Sequence, residues 1–113
     1  MSRPAAGWSV RLSDLAERDV RDIAVWTHNT FGTVQAERYS DALSLTLERL
    51  LGGPHVAGVR ERLEISKGLF SLRVRVKRRQ GRHSIFFRVD QGEILIVRIL
   101  HDAMDLDRQL VDE

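Results

Sequence analysis

The sequence contains no cysteine. Disulfide bonds, thiolate catalysis and cysteine-based zinc sites are therefore excluded. Its four histidines do not have the short spacing of metal ligands, so we expect no metal site and no cofactor. They stand at His28, His55, His83 and His101.

Long apolar runs are also missing. No stretch approaches the roughly 18 apolar residues of a membrane-spanning helix, and the first residues lack a signal-peptide pattern. Hydrophobic residues make up 42% of the 113, a composition typical of globular proteins. We expect one domain over residues 1–113, with a loose arm at 1–7, that makes no contact with membranes and works in the cytoplasm.

Acidic residues are absent from one long stretch of the chain. Between Lys67 and Arg88 there are eight basic residues and no acid, whereas the segment 101–113 contains five acids and one arginine. A basic surface of this kind suits phosphates or an acidic partner. The plainer interpretation is a solvated surface that keeps the protein soluble.

Apolar residues at three- and four-residue spacing predict two helices. The first begins at Ser13 or Asp14 and ends at Gly32, and the second is capped by Thr33 and ends at Gly52-Gly53-Pro54. Their short connection makes a helical hairpin. The predicted apolar stripes are Ala16, Val20, Ile23, Ala24, Thr27 and Phe31 in the first helix, and Ala36, Tyr39, Leu43, Leu47 and Leu50 in the second.

The remaining segments read as strands. Alternating or continuous apolar residues predict strands at 8–13, 63–67, 69–77, 83–90 and 93–100, with residues 77–82 as a basic link and a helical turn at 105–110. Short connections favour antiparallel pairing. The fold class is therefore α+β with the order β-α-α-β-β-β-β, in which the helical hairpin packs on one face of a mainly antiparallel sheet.

A two-layer fold leaves the second face of the sheet open. Arg73, Arg75 and Lys77 share one side of their strand, because alternate residues point to the same face, and we expect them on that open face. The most apolar strand must lie inside the sheet, and polar residues follow at its exit. These are Arg98, His101, Met104 and Asp105, held on a rigid element where a functional surface is placed accurately.

In this order of residues the sequence resembles the ParE toxins of the RelE/ParE superfamily over nearly its whole length. No single piece is specific, but the ordered combination is. It comprises Leu12-Ser13, Ala16, Asp19-Val20 and Ile23; Phe31-Gly32, Gln35-Ala36 and Tyr39; Pro54 and Gly58; Gly68-Leu69 and Arg73-Val74; His83 and Phe86-Phe87-Arg88-Val89; and Val97-Arg98-Ile99-Leu100-His101 with Met104-Asp105.

The resemblance implies the toxin of a type II toxin–antitoxin pair, neutralised by a ParD-like antitoxin of the ribbon-helix-helix DNA-binding class. It also implies inhibition of DNA gyrase by binding, with operator DNA contacted only through the antitoxin. On this interpretation no residue is catalytic. The target-binding residues are Arg73, Arg75, Arg88, Arg98, His101, Met104 and Asp105.

The antitoxin needs apolar anchors on the toxin surface. Trp26 lies on the flank of the first helix that also carries Leu15, and Trp8 lies on the first strand. We expect these three residues to contact the antitoxin. The alternative for Trp26 is peripheral core, and for Trp8 it is covering the helical hairpin.

Two other functions stay open. A RelE-type, ribosome-dependent endoribonuclease needs a base, an acid and cations, for which His83, Arg88 and His101 are the candidates. The acidic tail disfavours this, because carboxylates repel a scissile phosphate. The third possibility is a non-toxic binding module that acts through its antitoxin complex.

Overall fold

The computed structural model describes residues 7–102, 104 and 109–110. In chain order these residues form β1 (Ser9–Leu12), α1 (Asp14–Phe31), α2 (Thr33–Arg49), β2 (Arg60–Glu61), β3 (Phe70–Val76), β4 (Arg79–Asp90) and β5 (Glu93–His101). The predicted α+β class and the β-α-α-β-β-β-β order are confirmed. Most of the expected loose arm at 1–7 and most of the expected helical turn at 105–110 lie outside the described residues.

The sheet has the strand order β1-β5-β4-β3-β2. The β2–β3, β3–β4 and β4–β5 pairs are antiparallel, whereas β1 runs parallel to β5. β5 thus lies inside the sheet, as its apolar sequence predicts. The Gln91-Gly92 turn that joins it to β4 has positive φ at both residues, as a type I′ hairpin requires.

Both helix starts have clear local causes. The Ser13 hydroxyl accepts a hydrogen bond from the Ala16 amide at 3.0 Å and donates one to the Val97 carbonyl at 2.9 Å, so it caps α1 and ties it to β5. The predicted Thr33 cap of α2 is wrong. Gly32, with φ of 91° and ψ of 177°, is the cap residue because few side chains tolerate that backbone conformation.

The helical hairpin covers one face of the sheet and forms the main core with it. α1 packs on β5 and α2 on β3. The core side chains from the sheet include Leu72, Val74, Ile85, Phe87 and Ile96. No helix among the described residues is long and apolar enough to cross a bilayer.

The opposite face corrects one prediction. It was expected to be open and basic, but Phe86, which points away from Phe87, buries itself there in a second apolar cluster. The cluster is closed by the segment 62–69 and by Leu110, which is only 2% exposed. Its buried members are Leu69, Phe86, Val97, Leu100 and Leu110.

Two predicted boundaries are also wrong. Residues 63–67, expected as a strand, form turns, and the short edge strand is Arg60–Glu61 instead. The expected basic link at 77–82 is mostly strand. Arg75 pairs with Gln80 and Val76 with Arg79, so only Lys77 and Arg78 form the turn.

Candidate functional site

Arg98, predicted to bind the target, lies at the centre of a largely buried ion pair. Its Nε and Nη2 donate to the two carboxylate oxygens of Asp19 at 2.8 and 3.0 Å. The same carboxylate accepts the Ile99 amide at 2.9 Å. β1 ends opposite Ile96. Beyond that point the Asp19 carboxylate of α1, instead of a β1 carbonyl, accepts the hydrogen bond of the β5 backbone at Ile99. The pair therefore fastens α1 to the exit of β5.

The rest of the strand exit is more exposed. Arg98 also donates from Nη1 to Oε1 of Gln109 at 3.4 Å, which links the ion pair to the C-terminal segment. The Met104 amide donates to the His101 carbonyl at 3.0 Å, and the Met104 side chain is 44% exposed. Asp105 lies outside the described residues.

The two predicted histidines meet at the same end of the sheet. His83 pairs with His101 across β4 and β5, and their ring centroids lie 5.2 Å apart. The hydroxyl of Tyr39 is 2.8 Å from Nδ1 of His83, and Nδ1 of His101 is 3.3 Å from Asp102. One polar chain thus runs from α2 across the sheet to the end of β5.

His83 is poorly suited to proton transfer. His83 is only 9% exposed. Burial, aided by the nearby His101, lowers the pKa of His83 to about 4, so it is neutral near pH 7. Burial also raises the pKa of Tyr39 to about 12. A base with a pKa near 4 accepts protons weakly at neutral pH.

The three other predicted arginines do not converge on one site. Arg73 donates to the Gly81 carbonyl at 3.0 Å and lies 3.4 Å from Asp102. Arg88 donates to the Lys67 carbonyl and the Ser66 hydroxyl, both at 3.1 Å. Arg88 is five strand residues from His83, about 16 Å, so of the three ribonuclease candidates Arg88 lies apart from the two histidines, which are in contact. Arg75 is exposed.

A groove of about 630 Å³ opens beside the histidine cluster, between the helical hairpin and β4. We call it the Trp26 groove. Its two aromatic rings, Trp26 and Phe31, pack edge to face at 5.7 Å and are 53% and 61% exposed. Its other lining residues are Thr27, Gln35, Arg38, Tyr39, Val76, Arg79, Gly81, Arg82, His83 and His101.

The three predicted antitoxin contacts do not form one strip. Trp26 lies in the groove beside His101, whereas Trp8 precedes Ser9, which pairs with Glu93 at the other end of β5. Those ends are about 26 Å apart. Trp8 is half-buried against the main core and packs over Gly53, where a Cβ atom would lie 2.9 Å from the indole nitrogen. Leu15, 44% exposed, lies on α1.

Sequence reasoning missed two features of this region. Phe31 was placed on the buried stripe but is exposed, because α1 ends there and the chain turns away at Gly32. Asp19 was given no role at the site. The available signal was an acid at helical spacing between Ala16 and Ile23, on the apolar side of α1, where a charge needs a partner.

Together these residues form an exposed surface of mixed apolar and basic character. Two exposed aromatic rings, exposed arginines and the 44% exposed Met104 lie around the strand exit, where Tyr39 is hydrogen-bonded to His83 and His101 lies against Asp102. Among the described residues, no three His, Asp or Glu side chains are grouped so that they could hold a metal ion.

Known proteins resemble this chain in sequence and in fold. Residues 10–106 match the family described as the ParE toxin of type II toxin–antitoxin system, parDE. Toxin ParE1 of Mycobacterium tuberculosis (strain CDC 1551 / Oshkosh) is 33% identical over 100 residues, which cover 88% of this chain and 94% of that protein. Toxin ParE1 of strain ATCC 25618 / H37Rv gives the same values.

Two solved structures have the same fold. The chromosomal ParDE TA system from P. aeruginosa matches with a TM-score of 0.70 and 22% identity, covering 86% of this chain and 98% of that chain. The toxin–antitoxin complex RelBE2 from Mycobacterium tuberculosis matches with a TM-score of 0.58 and 19% identity, covering 83% and 96%. At these identities the likeness concerns the fold alone.

Proposed function

The chain belongs to the ParE toxin family of type II toxin–antitoxin systems, and on that premise we propose that it binds and inhibits DNA gyrase in the cytoplasm. The inhibition blocks replication and needs no chemistry by the toxin. The observation that carries this proposal is the family match over residues 10–106. The geometry agrees with it, since the strand exit combines exposed contact residues with a histidine of depressed pKa.

The target contacts are proposed at the exit of β5. Met104 supplies an exposed apolar contact. Its amide donates a hydrogen bond to the carbonyl of His101, which holds the two residues side by side. Arg98 has a different role in this proposal. Its guanidinium fixes the C-terminal segment through Gln109 while it pairs with Asp19, so it positions the surface and does not itself project from it.

The antitoxin is proposed to be ParD-like and to occupy the Trp26 groove. Trp26 and Phe31 offer exposed rings, and Arg38, Arg79 and Arg82 line the same groove. An amphipathic antitoxin segment with apolar and acidic side chains is complementary to that surface. Trp8, at the opposite end of β5, is proposed as a second contact on an antitoxin that wraps around the toxin. In this proposal operator DNA is contacted only through the antitoxin.

A supercoiling assay with purified gyrase and relaxed plasmid tests the function. We expect the wild-type toxin to inhibit supercoiling and Met104→Ala to inhibit more weakly. Leu63→Ala is the matched control, because Leu63 is also an exposed apolar side chain, at 65%, but lies in the turns that follow β2. Full gyrase activity at a large excess of toxin would refute the proposal.

A second candidate, the RelE-type endoribonuclease, is favoured by one observation. His83 and His101 lie in contact beside the groove that Arg82 lines. This activity predicts cut messages after induction of the toxin, and loss of the cuts on His101→Ala. Intact messages during growth arrest would rule it out, and unimpaired growth without antitoxin would favour the non-toxic binding module.

A further inference from the structure

The β3–β4 hairpin extends past both of its neighbouring strands. β5 pairs with β4 only from His83 onward, and β2 pairs only with Phe70 and Ser71 of β3. Residues 75–82 are therefore a two-stranded ribbon that lies beyond the rest of the sheet. We call this ribbon the basic arm.

The basic arm has an unusual charge distribution. Five of its eight residues are cationic and exposed, and none is acidic. Among the described residues these five side chains make no hydrogen bond or ion pair, whereas Arg73, just outside the arm, pairs with Asp102. Clustered cations that form no ion pairs produce a positive field that attracts an external polyanion. The five are Arg75, Lys77, Arg78, Arg79 and Arg82.

The arm is held in place by α2. Gly81 packs so closely on Tyr39 that a Cβ atom would lie 2.9 Å from its hydroxyl, and Arg38 of α2 lines a second groove with Lys77 and Arg78. One face of the ribbon lies against α2. The arm therefore cannot insert into a DNA groove in the way that a ribbon with two free faces could. Contacts from the turn and the open face reach phosphates, which carry no sequence information.

We propose that the basic arm binds the phosphate backbone of duplex DNA without sequence preference. The inference rests on the proposed function in one respect, because gyrase is the target that brings duplex DNA to the toxin. It adds that the toxin contacts the DNA as well as the enzyme. Arginine suits this role because its planar guanidinium pairs well with phosphate oxygens.

Fluorescence anisotropy with a short labelled duplex tests the inference on the full chain without gyrase. Five phosphate contacts would give a slope of log K against log salt of about −4.5, which is about 500-fold weaker binding at 200 than at 50 mM salt. Arg78→Gln should make the slope shallower by about 0.9, and the triple change of Arg75, Lys77 and Arg78 to Gln by about 2.7.

Arg21→Gln is the matched control. Arg21 is an exposed arginine on α1 and lines neither the Trp26 groove nor the second groove beside the arm, so its loss should leave the slope unchanged. Absence of binding at low salt, an equal effect of Arg21→Gln and Arg78→Gln, or tighter binding of single-stranded RNA of the same length would each overturn the inference.

The supercoiling assay separates this inference from the proposed function. If the toxin inhibits gyrase but duplex binding does not respond to the arm variants, the function stands and the inference fails. If the arm variants weaken gyrase inhibition with no change in the salt slope, the arm contacts an acidic protein surface and the inference is wrong. If the arm variants weaken duplex binding but the wild-type toxin does not inhibit gyrase, the inference is supported and the proposed function is refuted.

Discussion

Replacing Asp19 by alanine should be among the most destabilising single changes in this protein. The carboxylate accepts two hydrogen bonds from Arg98 and one from the Ile99 amide, and the two charged side chains are only 11% and 15% exposed. Asp19→Ala leaves a largely buried guanidinium without its counter-ion and a buried amide without an acceptor.

The magnitude follows from the burial. A simple sum of three charge-assisted hydrogen bonds, at about 1.5–3 kcal/mol each, overestimates the effect. Burying the two charges costs free energy, and that cost offsets part of the sum. Removing one partner of a buried pair costs about 3–5 kcal/mol. At about 4 °C per kcal/mol for a domain of this size, the melting temperature should fall by roughly 12–20 °C.

Urea unfolding of wild type, Asp19→Ala, Arg98→Met and the double variant measures the effect. The double variant should be less destabilised than the sum of the single ones, because neither charge is then left alone. Asp22→Ala, at an exposed position of α1, is the control and should cost less than about 0.5 kcal/mol. A loss below about 1 kcal/mol for Asp19→Ala, or additive losses in the cycle, would refute the reasoning.

Three further changes are predicted. Trp26→Ala should weaken antitoxin binding about 30-fold, as for a typical hot spot, while Leu45→Ala, at a side chain that is 61% exposed against 53% for Trp26, should not; equal affinities of the two variants in calorimetry would contradict this. The folded-state pKa of His83 lies below its ordinary 6.5, near 4. The free energy of unfolding should therefore fall as the pH is lowered from 6.5 to about 4, because the unfolded state binds more protons there. His83→Gln should remove part of that fall. Gly81→Ala should cost about 1–3 kcal/mol by overpacking on Tyr39, which thermal unfolding measures; unchanged stability would argue against the close contact.

The elements that the sequence predicted best are those encoded by local patterns. α1 follows from the Ser13 cap and the stripe that includes Ala16 and Ile23, and the β4–β5 hairpin follows from Gln91-Gly92 between two apolar runs. These signals involve neighbours in sequence, so the structure reproduces them with boundaries shifted by at most a few residues.

The errors come from contacts between distant residues. Asp19 and Arg98 are 79 residues apart, and no local pattern reveals that one side chain neutralises the other. The second apolar cluster depends on Leu110 folding back against Phe86, which alternation along a single strand cannot show. β1 pairs parallel with β5 although the two strands lie at opposite ends of the chain, so this pairing is set by tertiary packing.

The placement of the candidate residues follows in part from the sequence. His101 and Met104 lie at the exit of β5, as their position after an apolar strand predicts, and His83 pairs with His101 there, while their functional roles stay predictions. The residues 77–82, read as a link, instead belong mostly to a strand that continues past its neighbour β5, and Gln80 and Gly81 gave no alternation to indicate this.

The central claim is that this toxin stops gyrase by binding and cuts no RNA. It is tested most directly by giving one toxin preparation to two reactions in parallel, gyrase with relaxed plasmid and ribosomes with a translated message. We predict loss of supercoiling and an intact message, with supercoiling restored by the antitoxin. A cleaved message together with unaffected supercoiling would contradict the account.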